Sequence, residues 1–205
     1  MSENALIIMA KNPILGKVKT RLAKDLGDDA TLLLYKKLMS ITRKITDKLP
    51  CDKFIFYSDF IDLTDQWKNS EYHKCLQSNS VNLGDKMKNA FSEVFKKGYK
   101  RCAIIGTDCP YITPNILIKS LHKLSDNDAV IGPATDGGFY LLSVKNTTSL
   151  TFENITWSTH TVLSKFIQNL KKEHLKFELL EKLEDIDDIN SYSRSLNSIK
   201  LHELQ

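Results

Sequence analysis

Short apolar runs alternate with amphipathic segments along most of the chain, and this alternation limits the folds it can adopt. The apolar runs predict strands over 4–10, 53–58, 101–106, 128–131, 139–144 and 176–180, with a short one near Cys75-Leu76. Apolar spacings of three and four predict helices over 29–49, 83–97, 113–124, 159–171 and 188–200. Residues 11–23 are expected to form a loop. This order is typical of an α/β fold: a three-layer sandwich with a mostly parallel central sheet.

Length and composition indicate one globular domain over residues 1–205. The chain is 41% hydrophobic and 26% charged, and it is long enough to bury a core without metal or disulfide support. No repeat, low-complexity tract or linker divides it. The apolar run 5–10 is too short to span a bilayer and lacks a basic segment and a cleavage site. We therefore expect no membrane span, no secretory signal and a cytoplasmic location.

The charge and cysteine patterns argue against a nucleic-acid-binding surface and against a zinc site. The net charge of +4 comes from 29 basic and 25 acidic residues that are scattered along the chain. Without clustered basic residues or base-stacking aromatics, nucleic-acid binding is not expected, whereas anionic small molecules remain suitable ligands. The cysteines at 51, 75, 102 and 109 match no zinc spacing, and we expect reduced thiols.

Glycine and proline concentrate in three short segments beside predicted strands. Five of the eight glycines and three of the five prolines fall within 11–23, 105–110 and 132–140. Ligands of open α/β sheets bind at the carboxyl ends of strands, where glycine allows close backbone approach. The clustering predicts one site built from three loops.

The first loop is basic and precedes a helix. It matches no Walker A motif, because Lys11 stands where a glycine is needed and Val18 follows Lys17. A GxGxxG fingerprint is absent from the chain as well. The loop is suited to binding a diphosphate or triphosphate through charge and backbone amides, and the alternative is a solvated basic turn. Its candidate ligand-binding residues are Lys11, Gly16, Lys19, Thr20 and Arg21.

Asp108 follows the predicted strand 101–106, after Thr107. A carboxylate at the end of a buried strand can bind Mg²⁺, which takes one or two protein carboxylates and completes its shell with phosphate and water. The alternative is an aspartate that accepts hydrogen bonds from turn amides before Pro110.

Two further acidic segments are candidates for the same site. Asp136, Gly137 and Gly138 separate two strands, so they predict a hairpin turn in which Asp136 either contacts a substrate hydroxyl or caps the turn. Asp185 and Asp187 would lie on one side of an extended segment. The alternative for that segment is a solvated acidic turn that caps the last helix.

Read together, these segments resemble the bacterial DUF2064 family, also described as radical-SAM/selenodomain-associated transferase 1. This family belongs to the nucleotide-diphospho-sugar transferases with the GT-A fold. The motifs that carry the resemblance span nearly the whole chain in the family's order: AKNPILGKVKTRLA at 10–23, NLGDKMKNAF at 82–91, GTDCP at 106–110, GPATDGGFYLL at 132–142, WST at 157–159 and DIDD at 185–188.

The resemblance implies roles for individual residues. Lys19 and Arg21 would bind the donor's phosphates, and Asp108 and Asp187 would bind Mg²⁺ or Mn²⁺, with Asp185 as a weaker ligand. Asp108, Lys19 and Arg21 are accordingly the candidate catalytic residues. The candidate substrate-binding residues are Lys11, Gly16, Thr20, Thr107, Asp136, Gly137 and Gly138. Trp157 is expected to pack in the core, with stacking on a base or sugar as the alternative, and His160 is expected to open a helix.

The function implied is a metal-dependent transferase that uses a nucleotide or nucleotide-sugar donor. The first expectation is a glycosyltransferase acting on a small-molecule acceptor. The alternative is a guanylyltransferase-like nucleotidyltransferase that joins a nucleotide to a phosphorylated small molecule. Many glycosyltransferases of this fold carry Asp-x-Asp at the central position, whereas Pro110 replaces the second aspartate here. This departure moves the pattern towards the nucleotidyltransferases. A third interpretation is a nucleotide-binding protein without turnover.

Overall fold

Seven strands form one sheet in the computed structural model, which describes residues 2–68, 70–147 and 150–203. The strands are β1 (Asn4–Ala10), β2 (Asp52–Tyr57), β3 (Tyr72–Leu76), β4 (Arg101–Ile105), β5 (Ala129–Pro133), β6 (Phe139–Val144) and β7 (Phe177–Leu179). The helices are α1 (Thr20–Leu26), α2 (Asp28–Asp47), α3 (Leu83–Phe95), α4 (Pro114–Lys123), α5 (Val162–Lys172) and α6 (Ile189–Glu203).

The sheet is mostly parallel, as predicted, with β6 reversed. Its strand order is β3-β2-β1-β4-β6-β5-β7. Strand β1 pairs in parallel with β2 and β4, and β5 pairs in parallel with β7. Strand β6 is antiparallel to both β4 and β5. The turn between β5 and β6 is too short for the crossover that parallel strands need, so the two strands form the predicted hairpin.

Helices cover both faces of the sheet and confirm the three-layer prediction. Alternation along β1 directs Leu6 and Ile8 to one face and Ala5 and Ile7 to the other. The first face packs against α2 and α4, and the second against α3 and α5. Both faces of the sheet are therefore buried, so a ligand can reach the sheet only at the ends of its strands.

Residues 20–26 correct the expectation of a loop over 11–23, because they form the short helix α1. Val18 and Leu22 are buried in the same cluster as α2, and this contact stabilises a helix too short to persist alone. Lys19 precedes its first turn with a φ of 47°, and Gly27 ends it with a φ of 79°. The basic segment is consequently held rigidly against the core.

Other boundaries differ by only a few residues from those predicted. Thr113 caps α4 as expected, since its Oγ1 accepts a hydrogen bond from Ile116 N at 3.3 Å. Helix α5 begins at Val162, three residues after the predicted start. All four cysteines are free thiols, and Cys102 and Cys109 are buried. Within the described ranges, every helix is too short or too polar to cross a bilayer.

Candidate functional site

A cleft of about 720 Å³ opens at the carboxyl ends of β1 and β4. The loops after β1 and β4, the β5–β6 turn, the segment before α5 and the segment before α6 all contribute to its wall. Ten of the predicted residues line it: Lys11, Lys19, Thr20, Arg21, Thr107, Asp108, Asp136, Gly138, Asp185 and Asp187. Gly16 and Gly137 belong to the same loops but do not line the cleft. The structure thus brings residues from four distant segments into one place.

Lys19 joins the first loop to two carboxylates. Its Nζ lies 2.9 Å from Asp108 Oδ1 and 3.1 Å from Asp187 Oδ1, so the two oxygens are no farther apart than the sum of these distances. The Lys19 side chain is only 6% exposed, whereas Asp108 and Asp187 are 41% and 43% exposed. The ammonium therefore lies at the buried end of the Asp108–Asp187 pair, which opens to solvent. We call this pair of carboxylates the acidic seat.

The charge balance around Lys19 keeps it protonated. Burial alone would lower the pKa of the ammonium, but attraction by Asp108 and then Asp187 outweighs burial and raises the pKa above its ordinary value. The backbone at Lys19 lies in the left-handed region, which costs a non-glycine residue about 1–2 kcal/mol. The ion pairs offset this strain, because they hold the side chain between the carboxylates.

Hydrogen bonds hold the acidic segment 185–188 between the loop after β4 and the start of α6. Ile186 N donates to Asp108 O at 3.0 Å, and Asp187 N donates to Ser191 Oγ at 3.0 Å. Asp188 Oδ1 accepts from Ser191 N at 2.8 Å at the start of α6. The two interpretations of this segment therefore apply to different residues, with Asp188 capping the helix and Asp187 facing the cleft.

Asp185 is the more enclosed of the two cleft-facing acids in this segment. Burial first, and then repulsion by Asp108, raise its pKa to about 7, although attraction by Lys19 acts in the opposite direction. Asp187 adds further repulsion. Asp108 and Asp187 consequently lie close enough to Asp185 to disfavour its ionised form.

Tyr35 and Asn12 fix the first loop, and the sequence analysis missed both. The Tyr35 hydroxyl donates to Lys11 O at 3.0 Å and accepts from Lys11 N at 2.9 Å and Thr107 Oγ1 at 3.2 Å. The buried Asn12 donates through Nδ2 to Phe60 O at 2.9 Å and accepts from Asp59 N at 3.0 Å. Tyr35 lies on the apolar face of α2, so its pattern indicated only packing.

The β5–β6 turn is locked against the segment before α5. Asp136 Oδ1 accepts from Gly138 N at 2.8 Å, so Asp136 caps the turn and also lines the cleft. Gly137 has a φ of 92°, and its carbonyl accepts from Leu163 N at 2.9 Å. A Cβ at Gly137 would lie 2.1 Å from His160 O. His160 precedes α5, as expected, and also lines the cleft.

Part of the cleft wall is apolar, in contrast to the charged part around Lys19. Trp157 packs edge-on against Phe139 and Phe152, with ring centroids 6.3 and 5.4 Å away, as expected for a core residue. It also lines the cleft and lies directly over Gly84, where a Cβ would meet its ring at 2.5 Å. The cleft thus offers an apolar surface beside its charged end.

Arg21 is exposed on the rim of the cleft, on α1. Within the described part of the chain it forms no ion pair, unlike Lys19 two residues earlier. A guanidinium without a protein partner can make bidentate hydrogen bonds to a phosphate.

The donor set at the acidic seat fits a hard divalent cation. Among the described residues, no three of His, Cys, Asp or Glu form a complete metal site. Mg²⁺, however, needs only one or two protein carboxylates when phosphate and water supply the remaining ligands. The buried Asp108 Oδ1 has the Lys19 ammonium at 2.9 Å as a close partner, so this position already attracts a cation. Asp108 and Asp187 would hold the cation.

Comparison with known protein families assigns the chain to one of them. DUF2064, described as uncharacterized proteins conserved in bacteria, matches residues 41–159, more than half of the sequence. The chain belongs to the DUF2064 family. The matched range of this DUF2064 protein contains Asp108 and Asp136, whereas Lys19, Arg21 and Asp187 lie outside it. No curated protein matches the sequence.

Solved structures share the fold of this DUF2064 protein over its full length. A candidate nucleotide-diphospho-sugar transferase from Desulfovibrio desulfuricans G20 is 24% identical with a TM-score of 0.82, covering 98% of this chain and 99% of that one. A CMP:2-keto-3-deoxy-manno-octonic acid synthetase complexed with CTP is 9% identical with a TM-score of 0.62, covering 100% of both. The inositol-1-phosphate CTP transferase from T. maritima is 14% identical with a TM-score of 0.60, covering 98% and 96%.

Proposed function

We propose that this protein is a metal-dependent transferase that uses a nucleotide-activated donor, and that it transfers a glycosyl group to a small-molecule acceptor. The observation that carries the proposal is the convergence of Asp108 and Asp187 on one cation, the Lys19 ammonium, beside Arg21 and Lys11. Carboxylates next to unpaired basic groups are suited to a metal-bound diphosphate. The description of the Desulfovibrio protein as a candidate nucleotide-diphospho-sugar transferase supports the glycosyl donor.

The basic and the acidic residues of the cleft would have different roles in the reaction. Negative charge grows on the diphosphate leaving group as the bond to the sugar breaks, and preorganised cations stabilise that charge. Lys11 and Arg21 would bind the phosphate oxygens from the rim. Asp108 and Asp187 would hold the divalent cation, which supplies Lewis-acid stabilisation of the diphosphate. Asp136 also lines the cleft, where it would orient a donor or acceptor hydroxyl.

The shape of the cleft supports a small-molecule substrate. Its volume of about 720 Å³ lies within the usual range of small-molecule pockets, roughly 300–1,000 Å³. The apolar wall at Trp157 would contact the body of a ligand, while Lys11, Arg21 and the cation held by the carboxylates would contact its phosphates. A site of this size accommodates a nucleotide with a small acceptor.

Nucleotidyl transfer is the second candidate. One full-length structural match is described as a synthetase complexed with CTP and another as a CTP transferase, and Pro110 replaces the second aspartate expected in many glycosyltransferases. In that reaction a phosphorylated acceptor would attack the donor nucleotide and pyrophosphate would leave. The same carboxylates and basic residues would serve, because the leaving group is again a diphosphate.

The products distinguish the two reactions. The protein is incubated with Mg²⁺ or Mn²⁺ and either nucleoside triphosphates or nucleotide sugars, each with a panel of acceptors. Release of nucleoside diphosphate from a nucleotide sugar supports glycosyl transfer, and pyrophosphate release from a triphosphate supports nucleotidyl transfer. A melting shift with nucleotide but no product from either panel would contradict both and indicate a binding protein.

Arg21→Ala is expected to weaken binding of a nucleoside diphosphate by roughly 10- to 100-fold, since a charge-assisted hydrogen bond contributes about 1.5–3 kcal/mol. Calorimetry measures the change. Lys24→Ala, which removes one exposed positive charge from the same helix, is the control and should change the affinity little. Equal affinities of Arg21→Ala and the unmodified protein would remove Arg21 from the site.

A further inference from the structure

Lys19 occupies the seat that the proposed function assigns to a metal ion. Its Nζ contacts Asp108 Oδ1 and Asp187 Oδ1, one oxygen of each carboxylate that would hold a divalent cation. A divalent cation between these carboxylates would lie beside the ammonium, and like charges repel strongly in a partly buried site, so the two cations compete. Binding of the divalent cation therefore favours departure of the ammonium.

The Lys19 side chain has a means of leaving. Its four-carbon stem is flexible, and the ammonium makes point-charge contacts that another anion can replace. The rim beside it carries Lys11 and Arg21, which would bring a diphosphate close to the ammonium. A diphosphate therefore offers Lys19 a new partner as it delivers ligands to the metal.

We propose that Lys19 is an internal counter-ion that competes with the divalent cation for Asp108 and Asp187 and is drawn away by the donor's diphosphate. This inference rests on the proposed function. Before the donor binds, the ammonium neutralises the carboxylates and weakens metal binding. When the donor binds, the ammonium contacts the diphosphate and the metal takes its place. Lys19 thereby makes metal binding and donor binding cooperative.

The test measures Mn²⁺ binding to the full chain without nucleotide, by calorimetry or by the loss of the free-Mn²⁺ electron paramagnetic resonance signal. Lys19→Met is expected to tighten Mn²⁺ binding at least about tenfold, a size typical of coupled sites. The same variant should bind inorganic pyrophosphate more weakly than the unmodified protein when no metal is present. Lys24→Met, with the same loss of charge at an exposed position of α1, should bind Mn²⁺ like the unmodified protein.

Lys19→Asn provides a second variant if Lys19→Met does not fold. Asparagine tolerates the left-handed backbone at this position and is too short to contact both carboxylates. It should tighten Mn²⁺ binding in the same way. Its melting temperature should rise more with Mn²⁺ than that of the unmodified protein, because the metal restores the neutralised seat.

The outcomes separate this inference from the proposed function. If Mn²⁺ binds and Asp187→Asn removes that binding, but both Lys19 variants leave the affinity unchanged or weaker, the competition is overturned and the metal site stands. If neither the unmodified protein nor any Lys19 variant binds Mn²⁺, with or without a diphosphate, the metal-dependent function is overturned together with the inference.

Discussion

Asp108→Asn is expected to reduce metal-dependent nucleotide binding and turnover severely while leaving the fold intact. Asparagine keeps the size of the side chain but loses the charge that attracts a divalent cation. Lys19 keeps its ion pair with Asp187, so the site should remain folded. Removing one preorganised electrostatic contact typically costs about 2.7–4 kcal/mol, which predicts a loss of 10²- to 10³-fold in turnover.

Asp25→Asn is the matched control, because it makes the same chemical change at an exposed position on α1 outside the cleft. Circular dichroism and melting curves of both variants check the fold, and calorimetry with Mn²⁺ and nucleotide measures binding. If the Asp108 variant turned over at the rate of the Asp25 variant, Asp108 would have no role in metal binding.

Gly137→Ala is expected to destabilise the protein strongly and to disturb the cleft. Its φ of 92° suits glycine, and an added Cβ would lie 2.1 Å from His160 O, a main-chain atom that moves only with its segment. The backbone penalty is about 1–2 kcal/mol and forced overpacking adds about 1–3 kcal/mol, so unfolding should become easier by about 2–5 kcal/mol. Donor binding should weaken as well, because the turn carries Asp136 and the neighbouring segment carries Trp157.

Gly98→Ala separates the backbone penalty from the steric contact with His160 as causes of the lost stability. Gly98 has a φ of 96°, nearly that of Gly137, but an added Cβ there would meet no atom within 4 Å beyond its chain neighbours. The variant should therefore lose only the backbone contribution and leave nucleotide binding unchanged. Chemical denaturation measures both free energies of unfolding. Equal losses in the two variants would show that the contact with His160 carries no steric cost.

The fold was largely predictable, because the spacing of apolar residues along the sequence reflects which side chains are buried. Strand β6 follows its continuous apolar run because it is buried on both faces, and helix α2 follows its periodic pattern because it buries one face. Helix α1 was missed because its only buried residue is Leu22 and no side chain caps its start. It forms through contact with α2, which a local pattern does not contain.

The candidate site was predictable as a set of loops but not as a geometry. Asp108, Asp187 and Arg21 reach the same cleft, as the resemblance implied, and their roles remain predictions. The ion pairs of Lys19 could not be foreseen, because they join residues 89 and 168 positions apart only after the sheet is assembled. Tyr35 was hidden for a related reason, since it lies on the buried face of α2, where its position indicates packing and not its hydrogen bonds to the first loop.

The central claim is that a divalent cation held by Asp108 and Asp187 binds the diphosphate of a nucleotide in this cleft. Calorimetric titration of a nucleoside diphosphate panel into the full chain, with and without Mn²⁺, tests it most directly. At least one diphosphate should bind, its affinity should rise at least about tenfold with Mn²⁺, and Asp187→Asn should remove that gain. Binding of no diphosphate, or equal affinity with and without Mn²⁺, would contradict the claim.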